Sequence, residues 1–312
     1  MHSPTRRTFL AGALTLTAGG TRAAVPFRVV AFSVPHAEIL EFVGRTLAPD
    51  FPLKLIVTSG GIRPNALLRH GDADANFFQH EPFLHAEEAQ LGVTFAVVPA
   101  VHIEPLGIYS RRVATLAEVP QGASVTLPNK VTNFSRGLKL LQESGLIRLR
   151  PGDGTFATVQ EVAENPKSLC SVEIAPAQLP RSLDDVSLAV INSNHALETG
   201  LIPARDALAL ERTEGNPYAN VLVTTQALAG DERILRLAAL LTSAEVSRFI
   251  RDRYRGSVIP VRTTRSDTST PIGPSEPDPH RWWVFTPSSR PDGRVTIEVH
   301  TLTKMLIVND PI

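Results

Sequence analysis

The 312-residue sequence has one cysteine, no excess of either charge sign and no long hydrophobic run. A single cysteine, Cys170, excludes an internal disulfide and a cysteine-based metal cluster. It lies in the strand-like segment SLCSVEI, which predicts a small buried side chain. Because 31 basic residues balance 31 acidic ones, nucleic acid is not an expected partner. No segment approaches the ~20 consecutive apolar residues that span a bilayer, so we expect no integral membrane segment in the mature chain.

The first 23 residues predict an export signal. Paired arginines, Arg6 and Arg7, precede a short apolar stretch at residues 9–18, and the small residues Thr21 and Ala23 suit cleavage after Ala23. An Arg-Arg pair followed by Phe-Leu is typical of the twin-arginine route. Since no cysteine lies near the cleavage point, we expect a soluble periplasmic protein without a lipid anchor.

Strands and short helices alternate along the mature chain, which favours an α/β domain with a largely parallel sheet. The segments FRVVAF, FPLKLIVTSG, ANFF and VTFAVVPAVHIEPLGIYS predict strands, and a second unit in the same style begins at Ser110. In that unit, FATVQEVAEN is predicted as a helix. So is TNFSRGLKLLQESGL, with Thr132 as N-cap and Gly145 at its end. Two such units place a cleft between them, a favoured location for a small-molecule site.

The last fifty residues differ in composition from the rest. Residues 263–282 are rich in Pro, Ser, Thr and Asp, which indicates a linker, and the alternation around RPDGR that follows fits a β-hairpin. We assign no function to this tail.

Motifs for catalysis and for cofactors are lacking. His70, His80 and His85 do not have the i,i+4 spacing of a helical zinc site, no G-x-S-x-G elbow marks a nucleophilic serine, and no phosphate-binding loop is found. We therefore expect no enzyme, no metal and no cofactor. An exported hydrolase or metal enzyme that uses His80 or His102 is the least favoured alternative.

Other residues suit binding. The rings in DANFFQHEPFL are either core or the wall of an apolar pocket, with His80 as its polar member. Arg136 near the start of a helix either meets an anion there or pairs with a neighbouring acid on the surface. Asn192 and Asn220 offer a donor and an acceptor each, but asparagines at strand ends are also common turn formers.

Several segments together resemble the NlpA/MetQ family, the methionine-binding proteins of ABC importers. They are DANFFQHEPFL, LPNKVTNFSRGLKLLQESGLI, ENPKSL, APAQLPRSLDDVSLAVINSNHA and NPYANVLVTT. The resemblance is collinear from about residue 27 to 262. It implies a periplasmic-binding-protein fold of type II-like form, with lobe one at residues 27–106 plus 219–262 and lobe two at residues 107–218.

The resemblance also implies a function: capture of L-methionine or a close analogue and delivery to an ABC permease. The alternative within the fold is another small amino acid, a dipeptide or a different sulfur compound. Lys130 and Val131 stand where relatives often have Asp-Pro or Asp-Ala, which places an added cation beside the ligand carboxylate. The implied ligand residues are Phe78, His80 and Phe83 in the side-chain pocket, Tyr109 near the hinge, Arg136 at the carboxylate, Asn192 and Asn220 at the head group, and Tyr218 beside them.

Overall fold

The computed structural model describes residues 25–58, 62–152 and 156–261, and the backbone of residues 283–289 and 295–301. The predicted signal peptide and linker lie outside these residues. The chain divides into two compact units, residues 1–263 and residues 264–312, and each is described by itself.

The first unit contains two main β-sheets. Its strands in chain order are β1 Phe27–Phe32, β2 Leu53–Thr58, β3 Ala75–His80, β4 Phe95–Ile103, β5 Leu106–Tyr109, β6 Ser124–Pro128, β7 Arg148–Leu149, β8 Val162–Glu164, β9 Cys170–Ile174, β10 Leu188–Asn192, β11 Ala209–Leu210, β12 Ala219–Thr225 and β13 Ile259–Pro260. The first sheet has the strand order β13-β4-β12-β3-β1-β2, and the second has the order β11-β5-β10-β6-β9. β7 and β8 form a separate small ribbon.

Both sheets are mixed, which differs from the predicted largely parallel sheet. β1 pairs in parallel with β2 and β3, whereas β12 runs antiparallel between β3 and β4. The reason lies in the chain path. After β4 the chain leaves the first sheet at Glu104 and Pro105, and it returns as β12 between residues 211 and 218. A strand that arrives from the other sheet is not bound by the parallel geometry of a local β-α-β crossover.

Helices pack on both sheets and bury two apolar cores. The helices are α1 Glu38–Phe42, α2 Pro64–His70, α3 Glu81–Leu91, α4 Val131–Glu143, α5 Leu179–Ser182, α6 Ser193–Glu198, α7 Pro203–Asp206, α8 Glu232–Leu241 and α9 Ala244–Tyr254. The first core contains Phe27, Ile39 and Phe77, and the second contains Leu127 and Leu138, all fully or almost fully buried.

Local sequence signals explain several helix ends. α8 begins after Asp231, whose carboxylate accepts the Arg233 N–H, and α9 begins after Ser243, whose hydroxyl accepts the Val246 N–H. Each cap satisfies a backbone donor that a helix start leaves unpaired. α2 ends at Gly71, which has φ +76°, a conformation that glycine adopts without steric cost.

Three local predictions were wrong. FATVQEVAEN forms a single turn at Val159–Glu161 and then β8, because most of its side chains are exposed and a short helix needs a buried face. Cys170 is exposed rather than buried, since β9 is an edge strand of the second sheet. Lys130, not Thr132, holds the N-cap position of α4, and the Thr132 hydroxyl lies buried inside the helix.

In the second unit, Trp283–Ser289 and Val295–Thr301 form an antiparallel pair of strands, β14 and β15. The RPDGR turn between them lies outside the described residues. None of the helices in the described parts of the chain has the length and apolar character needed to cross a bilayer.

Candidate functional site

A cavity of about 500 Å³ is lined by residues from both sheets of the first unit. Six of the eight predicted site residues line it: Phe78, His80, Phe83, Arg136, Asn192 and Asn220. Tyr218 lies behind the lining, against His80 and Arg136. Tyr109 is not brought to the cavity. It is buried in an apolar cluster with Leu179 and Ile191, and burial raises the pKa of its phenol.

An aromatic wall forms one side of the cavity. Successive residues of a strand point to opposite faces, so Phe77 of β3 is fully buried in the core whereas Phe78 is half-buried at the cavity. The Phe78 ring lies 5.2 Å from that of Phe32 and 6.0 Å from that of Phe83. The three rings of DANFFQHEPFL therefore divide between the two roles that the sequence left open: one packs in the core and two face the cavity.

His80 links the two sides of the cavity. Its Nδ1 accepts the Phe83 N–H at 3.2 Å and so caps α3, and its Nε2 lies 3.0 Å from the Asn133 amide oxygen on α4. Burial, followed by the nearby Arg136 charge, lowers the His80 pKa to about 3. The imidazole is therefore neutral near pH 7, with the proton on Nε2 donated to Asn133.

Arg136 is the largest buried cation at the cavity, with 2% of its surface exposed. It lies in the second turn of α4. Its Nε donates to the Glu211 carboxylate at 2.8 Å, and its Nη2 donates to the Glu104 backbone oxygen at 2.7 Å. The guanidinium also lies 4.4 Å from the centre of the Tyr218 ring, a cation–π contact. The acid pairing that the sequence left open is present, but it is buried and not on the surface.

A glycine brings this arginine close to the second sheet. Gly137 follows Arg136 in α4, and a Cβ at Gly137 would lie 2.6 Å from the Leu127 side chain on β6. That distance is too short for a real contact, so any larger residue would require the Leu127 side chain to move.

Nη1 of Arg136 donates no hydrogen bond to any other residue in the described ranges. The side-chain oxygen of Asn192, at the end of β10, is buried and likewise has no partner there. Asn220 accepts from His36 Nε2 at 3.1 Å. The cavity thus presents an unsatisfied acceptor from Asn192 and an available donor from Arg136. Burying either group without a hydrogen-bond partner costs free energy.

Sequence reasoning missed several lining residues, among them Phe32, Glu104, Asn133 and His195, and the lining also includes Lys130. Glu104 matters most because a carboxylate is seldom buried without a partner. It is 5% exposed, and burial is the largest influence on its pKa, which is raised. His195 pairs with Glu198 at 3.1 Å, and Glu198 also accepts from the Ser33 hydroxyl.

His36, His102 and Glu104 could in principle hold a metal, since their ligand atoms lie within 4.8 Å of one another. The two Nε2 atoms lie 3.1 and 2.8 Å from the same Glu104 oxygen. Ligand atoms ~2.0–2.1 Å from a tetrahedral zinc lie about 3.3 Å apart, so these distances fit hydrogen bonds better. The histidines considered from the sequence have other partners: His80 contacts Asn133 and His85 pairs with Glu88.

Comparison with known proteins gives a consistent result. A family model described as NlpA lipoprotein matches residues 27–262. The chain is 38% identical over 209 residues to the D-methionine-binding lipoprotein MetQ of Escherichia coli K12, covering 66% of this chain and 77% of the relative. It is 35% identical over 226 residues to the probable D-methionine-binding lipoprotein MetQ of Vibrio cholerae, covering 72% and 84%.

Solved structures agree. A nutrient binding protein from Burkholderia cenocepacia bound to methionine is 37% identical, covers 76% of this chain and 100% of its own, and has a TM-score of 0.72. Structural similarity at this level of identity confirms the predicted α/β fold of the periplasmic-binding-protein type.

These names correct one prediction. The matched family and the curated relatives are called lipoproteins, proteins that carry a lipid anchor, which contradicts the expected form without an anchor. The single cysteine at position 170 is a fact of the sequence, but the conclusion drawn from it was wrong. The location outside the cytoplasm is supported.

Proposed function

Because the chain belongs to the NlpA lipoprotein family, we propose that it is a solute-binding protein that captures methionine outside the cytoplasm and delivers it to an ABC permease. Its role is binding, without turnover. The observation that carries the proposal is a single cavity that combines the Arg136 cation, the Glu104 carboxyl group and the aromatic wall of Phe32, Phe78 and Phe83. A free amino acid with an apolar side chain needs these three features together.

The carboxylate of the ligand would bind Arg136. Glu211 and the Glu104 backbone oxygen hold the guanidinium by its Nε and Nη2 groups, which leaves Nη1 for the ligand. A charge-assisted hydrogen bond from a buried, preoriented arginine is among the stronger polar contacts in proteins. Lys130 on the same side of the cavity adds a second positive charge, which favours an anionic group there.

The ammonium group of the ligand would bind between Glu104, Asn192 and Asn220. The Asn192 side-chain oxygen is buried without a partner in the described residues, and an ammonium would satisfy it. Glu104 supplies the compensating negative charge. Buried unpaired charges and unpaired acceptors are costly, so a cation at this position would lower the free energy of the whole cluster.

The thioether would lie against the aromatic wall. Sulfur–ring contacts contribute ~0.3–1.5 kcal/mol each, and burial of the side chain adds the ordinary hydrophobic term of ~25 cal/mol per Å². The half-buried state of Phe78 and Phe83 leaves ring surface for such a contact.

Binding would close two lobes, residues 27–106 with 219–262 and residues 107–218. Hydrogen bonds already join them, among them those of His80 with Asn133 and of Ser33 with Glu198. Closure about the two chain passages at residues 104–105 and 211–218 is a hinge motion that a permease could recognise. Residues 1–23 would act as the export signal, with Arg6 and Arg7 favouring the twin-arginine route.

The test is native mass spectrometry of the freshly purified full chain, followed by calorimetric titration of the unliganded protein with L- and D-methionine. We expect a co-purified adduct of methionine's mass, or sub-micromolar binding of one enantiomer. A protein that ignores both enantiomers but binds another small amino acid, a dipeptide or a different sulfur compound would overturn methionine as the ligand.

A further inference from the structure

Three buried side chains meet directly behind the cavity. His102 is the penultimate residue of β4 and His36 lies in the turn Ser33–Ala37 that follows β1, and both rings are fully buried. Their Nε2 atoms lie 2.8 and 3.1 Å from the same oxygen, Oε1 of Glu104. Glu104 in turn lines the cavity. The two rings pack edge to face on Phe77, at 4.8 and 5.2 Å between ring centres, so their orientation is held by the apolar core.

The protonation of this cluster follows from its hydrogen bonds. Burial lowers the pKa of His36 to about 4 and that of His102 to about 3, so both imidazoles are neutral near pH 7. The Nδ1 atoms have no partner among the described residues. With the proton on Nε2, His102 donates to Glu104 and His36 donates to Asn220, whereas a proton on Nδ1 would leave a buried donor unsatisfied. The His102 donor at this carboxylate oxygen favours the ionised carboxylate.

No permanent cation among the described residues is paired directly with the Glu104 carboxylate. The groups that act on Glu104 are His36, His102, Arg136, His195 and the Asn194 backbone N–H. Of these only Arg136 is a permanent cation, and its Nε and Nη2 groups are held by Glu211 and by the Glu104 backbone oxygen.

Two further acidic groups lie nearby. Glu198 pairs with His195, and the Glu104 charge is one of the influences that raise the pKa of the Tyr254 phenol on α9. Neither supplies a cation, so the negative charge of Glu104 faces the cavity with neutral donors behind it.

We infer that His102 is a positioning residue: its Nε2–H group holds Glu104 as an ionised acceptor aimed into the cavity, where it receives the ammonium of the ligand. This rests on the proposed function, since it assumes a ligand with a free ammonium. One consequence is that ligand binding is linked to a proton on Glu104.

The direction in which ligand affinity changes with pH follows from the pKa of Glu104. Burial holds the Glu104 pKa above its ordinary 4.5 in the free protein, and a bound ammonium lowers it again. The affinity for the ligand is therefore highest at pH values above the Glu104 pKa of the free protein. It falls as the pH drops through that value, by up to about tenfold per pH unit.

The experiment is calorimetric titration of the full chain with L-methionine from pH 4.5 to 8.5, in pairs of buffers with different ionisation enthalpies. Wild-type protein should release up to one proton on binding at the acid end and none at the alkaline end. Glu104→Gln should bind about 100-fold more weakly at pH 8.5, as expected for a buried charge pair that loses one partner, and should release no proton.

Paired variants separate positioning from simple packing. His102→Leu removes the donor, so proton release should extend to higher pH, whereas His102→Gln keeps an amide donor and should shift it less. His102→Met and His102→Asn repeat the comparison if the first pair folds poorly, as judged by circular dichroism. His70→Gln, at an exposed position of α2, is the matched control and should behave as wild type.

The outcomes distinguish this inference from the proposed function. If wild-type protein binds no methionine at any pH, the proposed function fails. If it binds methionine but Glu104→Gln keeps the same proton release, or if His195→Gln and not Glu104→Gln abolishes it, the inference fails and the function stands. If the pH range of proton release shifts by the same amount in the Leu and Gln variants, the positioning role would also be overturned.

Discussion

Replacing Arg136 with lysine tests the polar half of the site most sharply. The substitution keeps a positive charge but removes the planar guanidinium that donates to Glu211 and to the Glu104 backbone oxygen at the same time. A lysine has three donors on a flexible stem and cannot reproduce that geometry. The variant should therefore lose the preoriented donor to the ligand carboxylate without leaving Glu211 wholly without a cation.

The expected magnitude follows from the contacts. A hydrogen bond to a charged group contributes about 1.5–3 kcal/mol, which corresponds to a loss of about 10- to 150-fold in methionine affinity. The lost contacts to Glu211 and to the cation–π partner Tyr218 should also lower the free energy of unfolding by about 1–3 kcal/mol. For a chain of this size that corresponds to about 2–4 °C in Tm per kcal/mol.

The assay is calorimetric titration with L-methionine at pH 8, with the Tm of the unliganded protein measured by scanning calorimetry. Arg148→Lys is the matched control. Arg148 pairs with Glu164 on the surface with 63% of its side chain exposed, and such pairs contribute little. A Kd for Arg136→Lys within threefold of wild type, in a folded protein, would refute the assignment of the ligand carboxylate to this arginine.

Two further outcomes are expected. Phe78→Ala should weaken L-methionine binding about tenfold or more, because the thioether loses a ring contact and buried area, while a glycine or alanine ligand should change little; equal losses for all ligands in parallel titrations would contradict the aromatic slot. Cys170 is exposed on an edge strand, so a maleimide should label it quantitatively in the native protein within minutes, and labelling that requires denaturant would show that this strand is covered.

Sequence patterns predicted the architecture well where periodicity and end signals agree. The strands β1 and β3 and the helix α4 were all expected, because alternation, helical spacing and turn residues coincide there. Period two also explains why Phe77 and Phe78 separate into core and cavity. Neighbouring residues in a strand cannot share a face.

Predictions failed where tertiary context decides. The Thr158–Glu161 capping box is a correct helix-start signal, but the residues after it have little to pack against, so the helix stops after one turn. Cys170 follows an apolar strand pattern, yet its exposure depends on whether a neighbouring strand covers β9, and none of the described strands does. Strand order at a sheet edge cannot be derived from the local sequence.

Glu104 shows that part of the missing site was readable. In AVHIEP, His102 and Glu104 are two residues apart, so an extended chain puts both on one face, with Val101 and Ile103 on the other. A histidine and an acid on one face of an otherwise apolar strand, directly before a proline, indicate a buried polar pair at a strand end.

The third member of the cluster, His36, could not be found from such a local pattern. His36 is 66 residues before His102 in the sequence and comes beside Glu104 only in the fold, where Asn220 of β12 pairs with His102 and its side-chain oxygen accepts from His36 Nε2 at 3.1 Å. The hydrogen bonding of the cluster therefore depends in part on β12, the strand that follows the second passage, and so on one of the two passages about which the lobes would close.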